Sequence, residues 1–297
     1  YTEGQSSAVA EPEITAADSD SATLASASIS ISENYTSGDS LLFTNDNASM
    51  GNIAGTWDTS TRKLSLSSDS QSATVAEWQA ALRSIAFTSS SDNPGENASS
   101  RTLSCSINDG NSDSTAITTY LNIFSVNDSP VANGNPSLSP ISEDATNPAG
   151  DTVANLFSSS FSDTADNDIL LGIAITANAA DSSIEGVWQY STDSGSSWNA
   201  IDTSGLADAT ALYLDITAKL RFLPAADFNG SPGALTARLI DNSGNARANA
   251  STVDVSTNGG STDISADTLS LATSITSIND VPTGADNTIT ITEDGSQ

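Results

Sequence analysis

The chain has 297 residues but no histidine, one cysteine, one methionine, and only eight lysines and arginines against 37 acids, a formal net charge of −29. Without histidine there is no Ser-His-Asp triad, no Cys-His pair and no imidazole metal site. One cysteine excludes an internal disulfide framework. Because no run of 18 apolar residues occurs, we expect no membrane insertion. The acidic excess argues against nucleic acid, whose phosphates favour Lys and Arg.

What remains as chemistry is carboxylate and amide oxygen, which is the ligand set of calcium. A pair of carboxylates could hydrolyse glycosides. No acid lies in an apolar sequence setting that would raise its pKa, however, so we expect no enzyme. Leu, Ile, Val and Phe make up about a fifth of the chain. This is a low content of large apolar residues for a protein whose net charge opposes a compact fold. A bound ion would supply stability that so small a core does not.

Two segments recur at long range. Ser-Val-Asn-Asp-Ser-Pro at 125–130 returns as Ser-Ile-Asn-Asp-Val-Pro at 277–282, and Ile-Ser-Glu-Asp at 141–144 returns as Ile-Thr-Glu-Asp at 291–294. A period near 150 residues fits whole domains in tandem. We therefore predict domains at 1–128 and 129–280 and the start of a third at 281–297. We also expect the first strand to be truncated and the chain to be part of a longer protein.

The local pattern is mostly that of β-strands. Apolar and polar residues alternate at 27–32, 103–107, 117–123, 212–216, 220–223 and 235–240, between turns rich in Asp, Asn, Gly, Ser and Pro. Many short strands separated by turns predict an all-β protein with two tandem antiparallel β-sandwich domains of immunoglobulin or cadherin-like type.

One stretch departs from this pattern. Thr74 and Glu77 form a capping box, and Val75, Trp78 and Leu82 follow at helical spacing. A short structural helix is therefore predicted at 75–84 in domain 1.

The positions of the cysteine and of two tryptophans indicate buried side chains more than reactive or ligand-binding ones. Cys105 alternates with Leu103 and Ile107, which predicts a buried thiol. Trp188 and Trp198 flank a turn and could stack on a sugar or peptide. Because Trp188 shares a strand face with Tyr190, that face is interpreted as core instead.

The acids gather at the ends of the predicted sandwiches. Successive strands run in opposite directions, so the loops alternate between the two ends. At the first junction, between domains 1 and 2, this alternation places Glu3, Asp92, Asn127 and Asp128 opposite Asp163, Asp166 and Asp168. Asp18 and Asp20 lie at the other end of domain 1. At the second junction, where domain 2 ends, lie Glu143, Asp227, Asn279 and Asp280. Such like charges repel unless a divalent cation lies among them, and Ca²⁺ suits the donors best. Asp109 and Asp241 are weaker candidates, because hairpin turns favour Asp without a metal.

These residues resemble the cadherin-like tandem repeats of large bacterial calcium-dependent surface adhesins of the RTX type. The matching features are the strand-ending Glu3 and Glu143, the Asp-x-Asp at 18–20, the Asp cluster at 163–168, the Asn-Asp-x-Pro linkers at 127–130 and 279–282, and Pro-Ala-Ala-Asp-Phe-Asn-Gly at 224–230. The loop at 163–168 is longer than a plain Asp-x-Asp. Ser129 and Val281 replace the Asn usual in animal cadherins, so we expect fewer ions per junction.

The resemblance implies an extracellular location on a bacterial cell surface, Ca²⁺ between successive repeats, and neighbouring repeats of the same polypeptide as partners. The expected role is calcium-rigidified extension or display within a protein that mediates cell adhesion. Two alternatives stay open. One is a ligand-binding adhesion module that recognises a glycan or a peptide. The other is a subunit of a self-assembling surface filament or sheath.

Overall fold

The structure is a computed structural model that describes residues 1–281 and 284. The predicted third repeat at 281–297 therefore lies almost wholly outside the described residues. The chain forms two compact units. Unit 1 comprises Tyr1–Ser129 with the segments Asp163–Asp168 and Gly259–Asp263, and unit 2 comprises Pro130–Ser162, Ile169–Asn258 and the described residues from Ile264 onward. The repeat limits drawn from the sequence stay a prediction.

Unit 1 is an antiparallel β-sandwich. Its strands are β1 (Ala8–Val9), β2 (Ser26–Glu33), β3 (Asp39–Leu42), β4 (Ile53–Asp58), β5 (Lys63–Ser68), β6 (Ala86–Ser89), β7 (Ser100–Asn108) and β8 (Ile117–Asn122), and its helix is α1 (Val75–Ser84). One sheet has the order β4-β5-β2-β7-β8 and the other β1-β6-β3. A parallel bridge also joins Thr2 to Phe124. The predicted alternation is confirmed, since β2 and β7 turn their apolar side chains inward and small hydroxyls outward.

The predicted helix is confirmed at Val75–Ser84. Thr74 Oγ1 accepts the Glu77 N–H, and the Glu77 carboxylate accepts the Thr74 N–H, so both halves of the capping box are formed. The helix buries Trp78 completely, and the indole N–H donates to Leu24 O at 2.9 Å. The role of α1 is structural, because its apolar face fills the core.

Cys105 is buried in unit 1, as predicted. Burial raises the pKa of its thiol to about 11, so the thiol stays protonated and unreactive near neutral pH.

Unit 2 is built from two larger sheets. Its strands are β9 (Val131–Ala132), β10 (Ile141–Ser142), β11 (Asp151–Thr152), β12 (Phe161–Ser162), β13 (Leu170–Asn178), β14 (Gly186–Ser191), β15 (Asn199–Ala200), β16 (Ala211–Asp215), β17 (Lys219–Pro224), β18 (Leu235–Asp241), β19 (Ser251–Val253), β20 (Leu269–Leu271) and β21 (Ile275–Thr276). The sheet orders are β11-β17-β14-β15 and β19-β16-β13-β18-β20, both antiparallel. The short strands β10 and β21 pair in parallel.

The core of unit 2 contains Trp188 of strand β14, and the partly buried Tyr190 packs against that core. Trp188 is fully buried, packs edge-on against Phe222, and donates its indole N–H to Gly233 O at 2.8 Å. The Trp198 ring is covered by the Arg221 guanidinium, 4.1 Å from its centroid. Trp188 is therefore structural, in agreement with the interpretation of its strand face as core.

A short helix in unit 2 was not expected from the sequence. Helix α2 (Val153–Phe157) begins at Thr152, whose side chain accepts the Asn155 N–H, and it buries Val153, Leu156 and Phe157. Five residues are too few to show a helical period. No helix among residues 1–281 is long and apolar enough to cross a membrane.

A fully buried ion pair joins the starts of β3 and β7 in unit 1. Arg101 Nε donates to Asp39 Oδ2 at 2.6 Å, and both side chains are 0% exposed. The same guanidinium donates to the main-chain oxygens of Ala98, at 3.0 Å, and of Pro94. Arg101 thereby ties the loop at 92–99 to β3 and β7.

We expect Asp39→Ala to destabilise unit 1 by about 3–5 kcal/mol, because it leaves the Arg101 charge buried and unpaired. Asp208→Ala is the matched control. It removes the more exposed partner of Arg238 and should cost about 1 kcal/mol or less. Chemical denaturation in EDTA measures both effects. Equal losses in the two variants would contradict the central role of the buried pair.

Candidate metal centre

Glu3 lies at the end of the first extended segment of unit 1. Its N–H donates to Phe124 O at 2.8 Å, next to the parallel bridge between Thr2 and Phe124. Its Oε2 accepts the Val126 N–H at 2.9 Å. The carboxylate is therefore fixed against the segment that leads to Asp128.

Asp92 is carried by the loop that Arg101 holds from inside the core. Ser125 fastens the same loop from the other side, because its Oγ accepts the Gly95 N–H at 2.8 Å and donates to Asn93 Oδ1 at 2.7 Å. The loop is thus tied to the segment that ends at Asp128. This fixes Asp92 near the exit of unit 1.

The segment Asp163–Asp168 adds further acids to unit 1. Asp166 Oδ2 accepts the Asp128 N–H, and the Asn167 side-chain amide donates to Glu96 Oε1 at 3.0 Å. Asp166 therefore belongs with Glu3, Asp92 and Asp128; these four residues are called the exit cluster below.

Asp163 and Asp168 lie together within the same segment. Each offers a carboxylate oxygen, and the two oxygens lie within 4.8 Å of each other. Asp163 Oδ1 also accepts the Asp166 N–H at 3.3 Å, and Asn167 turns the chain with φ of 61°. The acids of this loop therefore lie in two places. Asp166 belongs to the exit cluster, whereas Asp163 and Asp168 form a separate pair.

Partial burial and charge repulsion act together on two carboxylates of the exit cluster, Glu3 and Asp128. Partial burial raises the pKa of Glu3, and the charges of Asp128, Asp166 and Asp92 raise it further against the lowering effect of the Val126 hydrogen bond. The pKa of Asp128 is raised by partial burial and then by Asp166 and Asp92. The raised pKa values of Glu3 and Asp128 show how closely the carboxylates are crowded, and a divalent cation among them would relieve that crowding.

The donor chemistry fits calcium better than the transition metals. The exit cluster offers carboxylate oxygens, and the neighbouring Asn127 adds an amide oxygen. Ca²⁺ takes six to eight such oxygens in flexible geometry. Zinc and copper sites depend on His or Cys, and the chain has no His and a single buried Cys105.

A second group in unit 1 comprises Asp18, Asp20 and Asp109, whose carboxylate oxygens lie within 4.8 Å of one another. The main-chain N–H groups of Asp20 and Ser21 lower the pKa of Asp18, whereas the hydrogen bond and charge of Asp18 raise that of Asp20. Asp109 accepts the N–H groups of Asn111 and Ser112, which lower its pKa. The predicted Asp18 and Asp20 are thus brought together with a third acid.

Unit 2 repeats the arrangement of the exit cluster. Glu143 follows β10, and its Oε1 accepts the Ile278 N–H at 2.6 Å, while its Oε2 accepts from the Asn229 amide at 3.2 Å. Burial and then the charges of Asp144, Asp227 and Glu143 raise the pKa of Asp280. Asp227 has a φ of 61°, the left-handed region that non-glycine residues seldom adopt.

The two asparagines of the predicted linkers behave alike. The Asn127 side-chain amide donates to Asp128 O at 2.8 Å, and that of Asn279 donates to Asp280 O at 3.1 Å. Both amides are therefore oriented by the residue that follows them.

Two members of these groups were missed or discounted at the sequence level. Asp109 is only a weaker candidate on the sequence because it lies in a hairpin turn, yet its carboxylate joins those of Asp18 and Asp20. Asp144, which follows Glu143 in the sequence, is not among the predicted ligands, and the structure puts its charge near Asp280. In both cases, the shared end of the sandwich was the available signal.

The sequence matches no protein-family model and no curated protein. Several solved structures resemble it. They include cadherin domains 1–2 of human mucin-like protocadherin (13% identity, 82% of this chain and 86% of that chain, TM-score 0.33). They also include extracellular cadherin domains 1–5 of protocadherin gamma B2 (15% identity, 82% of this chain and 33% of that chain, TM-score 0.33). The chain thus spans about a third of the length of the protocadherin gamma B2 chain.

Cadherin-like domains 1 to 4 of zebrafish RET are a further example, with 11% sequence identity and a TM-score of 0.26. The match covers 84% of this chain and 41% of the RET chain. Similarities at these TM-scores carry no argument about function. The all-β sandwich class follows from the strands of the chain itself.

We expect the calcium-free protein to gain stability as the pH falls from neutrality toward 4.5, the ordinary pKa of Glu3. Since the pKa values of Glu3 and Asp128 are raised in the fold, the folded chain holds these protons more tightly than the unfolded chain, and ionisation at higher pH weakens the fold. Thermal unfolding in EDTA across this range measures the effect.

The control is the double variant Glu3→Gln, Asp128→Asn, which should flatten this dependence. At lower pH the trend should reverse, because Asp46 and Asp193 have pKa values lowered to about 2 by hydrogen bonds from serines. A melting temperature that falls steadily as the pH is lowered from neutrality would contradict the raised pKa values of Glu3 and Asp128.

Proposed function

We propose that the chain is a non-enzymatic set of calcium-rigidified extender or display repeats from a large extracellular adhesin of the bacterial cell surface. The observation that carries the proposal is the repeated arrangement in the two units. In each, a strand-ending Glu accepts the N–H of the residue two positions before an Asn-Asp-x-Pro aspartate, at Val126 in unit 1 and Ile278 in unit 2. Other carboxylates surround that aspartate in both units.

The mechanism is electrostatic. Without an ion the exit cluster is held together against its own charge, so its chain segments tend to separate. A calcium ion bound by Glu3, Asp92, Asp128 and Asp166 would join the first strand, the loop at 92–99, the linker and the segment at 163–168. Glu143, Asp227, Asn279 and Asp280 would act in the same way one repeat later. Asp18 and Asp20, with Asp109, would form the corresponding site toward a preceding repeat.

Neighbouring repeats of the same polypeptide are the proposed partners. Extracellular calcium modules bind with Kd values of about 10⁻⁴–10⁻³ M, so millimolar calcium outside the cell would keep the ligands loaded. An array of such repeats would then act as a stiff spacer that presents an adhesive domain away from the cell.

A calorimetric titration of calcium into the chelated chain tests this proposal directly. We expect several ions to bind, and each to add about 2.7 kcal/mol to the free energy of unfolding at 100 times its Kd. Asp128→Asn should lose at least one bound ion at about 1 mM calcium. Asp202→Asn, which changes an exposed acid outside both groups, should titrate like the parent chain.

Small-angle X-ray scattering of the same samples measures stiffness. The proposal requires the distribution of molecular dimensions to narrow when calcium is added. No binding heat and no rise in melting temperature up to about 10 mM calcium, ten times the weak end of the extracellular range, would overturn it.

A second candidate function, self-assembly into a filament or sheath, is favoured by one observation. Strand β8 lies at the edge of its sheet and exposes Ile117 and Tyr120, 50% and 70% accessible. Exposed apolar edge strands are templates for pairing with another chain. Light scattering with and without calcium separates a filament subunit, which assembles, from a spacer, which stays monomeric. The glycan or peptide ligand stays a prediction.

A further inference from the structure

The linker that carries Asp128 is held by a segment that no sequence motif singles out. This segment, Gly259–Asp263, belongs to unit 1 and is called the strap below. Ser129 N–H donates to Gly260 O at 2.7 Å, and the Asn127 side-chain amide donates to Thr262 O at 3.1 Å. The strap therefore binds the linker on both sides of Asp128, and it does so through main-chain oxygens that need no ion.

The strap also decides which atom of Asn127 is left for a cation. A side-chain amide has two N–H donors and one oxygen acceptor. The Asn127 nitrogen donates both to Thr262 O and to Asp128 O, so its donors are engaged. The Oδ1 atom lies on the other edge of the planar amide, and it is the atom that a hard cation binds.

The shape of the strap is set by its own turn. Gly259 and Gly260 both lie in the left-handed region, with φ of 71° and 58°. Thr262 closes the turn, since its N–H and its Oγ1 both donate to Gly259 O, at 3.2 and 3.0 Å. The oxygens of Gly260 and Thr262 are thus presented to the linker by a defined turn.

The second linker provides an internal comparison. The Asn279 amide donates to Asp280 O at 3.1 Å, and within residues 1–281 and 284 it has no second acceptor corresponding to Thr262. The hydrogen bond from Asn to the following Asp is thus common to both linkers.

We infer that the strap is an ion-independent latch that positions Asn127 and Asp128 for cation binding. The latch itself does not depend on the proposed function. Its effect on calcium affinity does rest on that function, because it requires the exit cluster to bind the ion.

Gly260→Val tests the latch, because a β-branched residue is strained at a positive φ. A Cβ at Gly260 would meet no atom within 4 Å, so the substitution changes the turn without a clash. Gly205→Val is the matched control, at φ of 82° and also with no atom within 4 Å. Amide hydrogen exchange of Ser129 in EDTA and the calcium affinity of the full chain are measured for both variants.

In the parent chain and in Gly205→Val, the Ser129 amide should be protected in EDTA. In Gly260→Val its exchange should accelerate at least tenfold, and the tightest calcium site should weaken several-fold. An unprotected Ser129 amide in the parent chain would overturn the latch, whether or not calcium binds. Lost protection with unchanged calcium affinity would overturn the positioning role alone. Absence of calcium binding in the parent chain would refute the proposed function and its link to the strap, while the exchange data would still decide the latch.

Discussion

The buried pair of Arg101 and Asp39 is the interaction on which the exit cluster of unit 1 depends. One of only eight basic residues lies in the core, where its guanidinium holds Asp39 and the main chain of the loop at 92–99. That loop carries Asp92 toward Glu3 and Asp128. Without a fixed loop, carboxylates that repel one another would move apart into solvent, since nothing in their own chemistry keeps them together. The buried positive charge of Arg101 thus holds in place a loop that brings negative charges together at the surface.

The negative groups are of two physical kinds. Some, such as Asp46 and Asp193, accept hydrogen bonds from nearby serines, which hold the pKa of each at about 2. These acids are satisfied within their own turns. Others, Glu3, Asp128 and Asp280, have raised pKa values because desolvation and neighbouring acids oppose their ionisation.

Much of the fold was predictable because the strands alternate so regularly. The pattern at 103–107 predicted the inward side chains of β7, and the capping box predicted α1. The same alternation contained the signal for the ion pair, since Arg101 is in phase with Leu103 and Asp39 with the buried Leu41. The convergence of Glu3, Asp92 and Asp128 followed from counting strand directions.

The features that could not be predicted from the sequence are those that depend on main-chain atoms or on very short helices and loops. The strap acts through the carbonyl oxygens of Gly260 and Thr262, and any residue type offers such an oxygen. Helix α2 has five residues, fewer than two turns. In the loop at 163–168, only the folded geometry separates Asp166 from Asp163 and Asp168.

The engagement of the basic residues has a consequence for proteolysis. Arg101 and Arg221 are buried, and Arg83, Lys219, Arg238 and Arg247 are half-buried, which leaves Arg62 and Lys63 as the exposed basic residues. These two are adjacent, at the turn between β4 and β5. A trypsin-like protease, which cleaves after Lys or Arg, therefore meets only one pair of fully exposed basic residues on a 297-residue chain. The scarcity of lysine and the burial or partial burial of most arginines together leave trypsin-like proteases few sites on the folded protein.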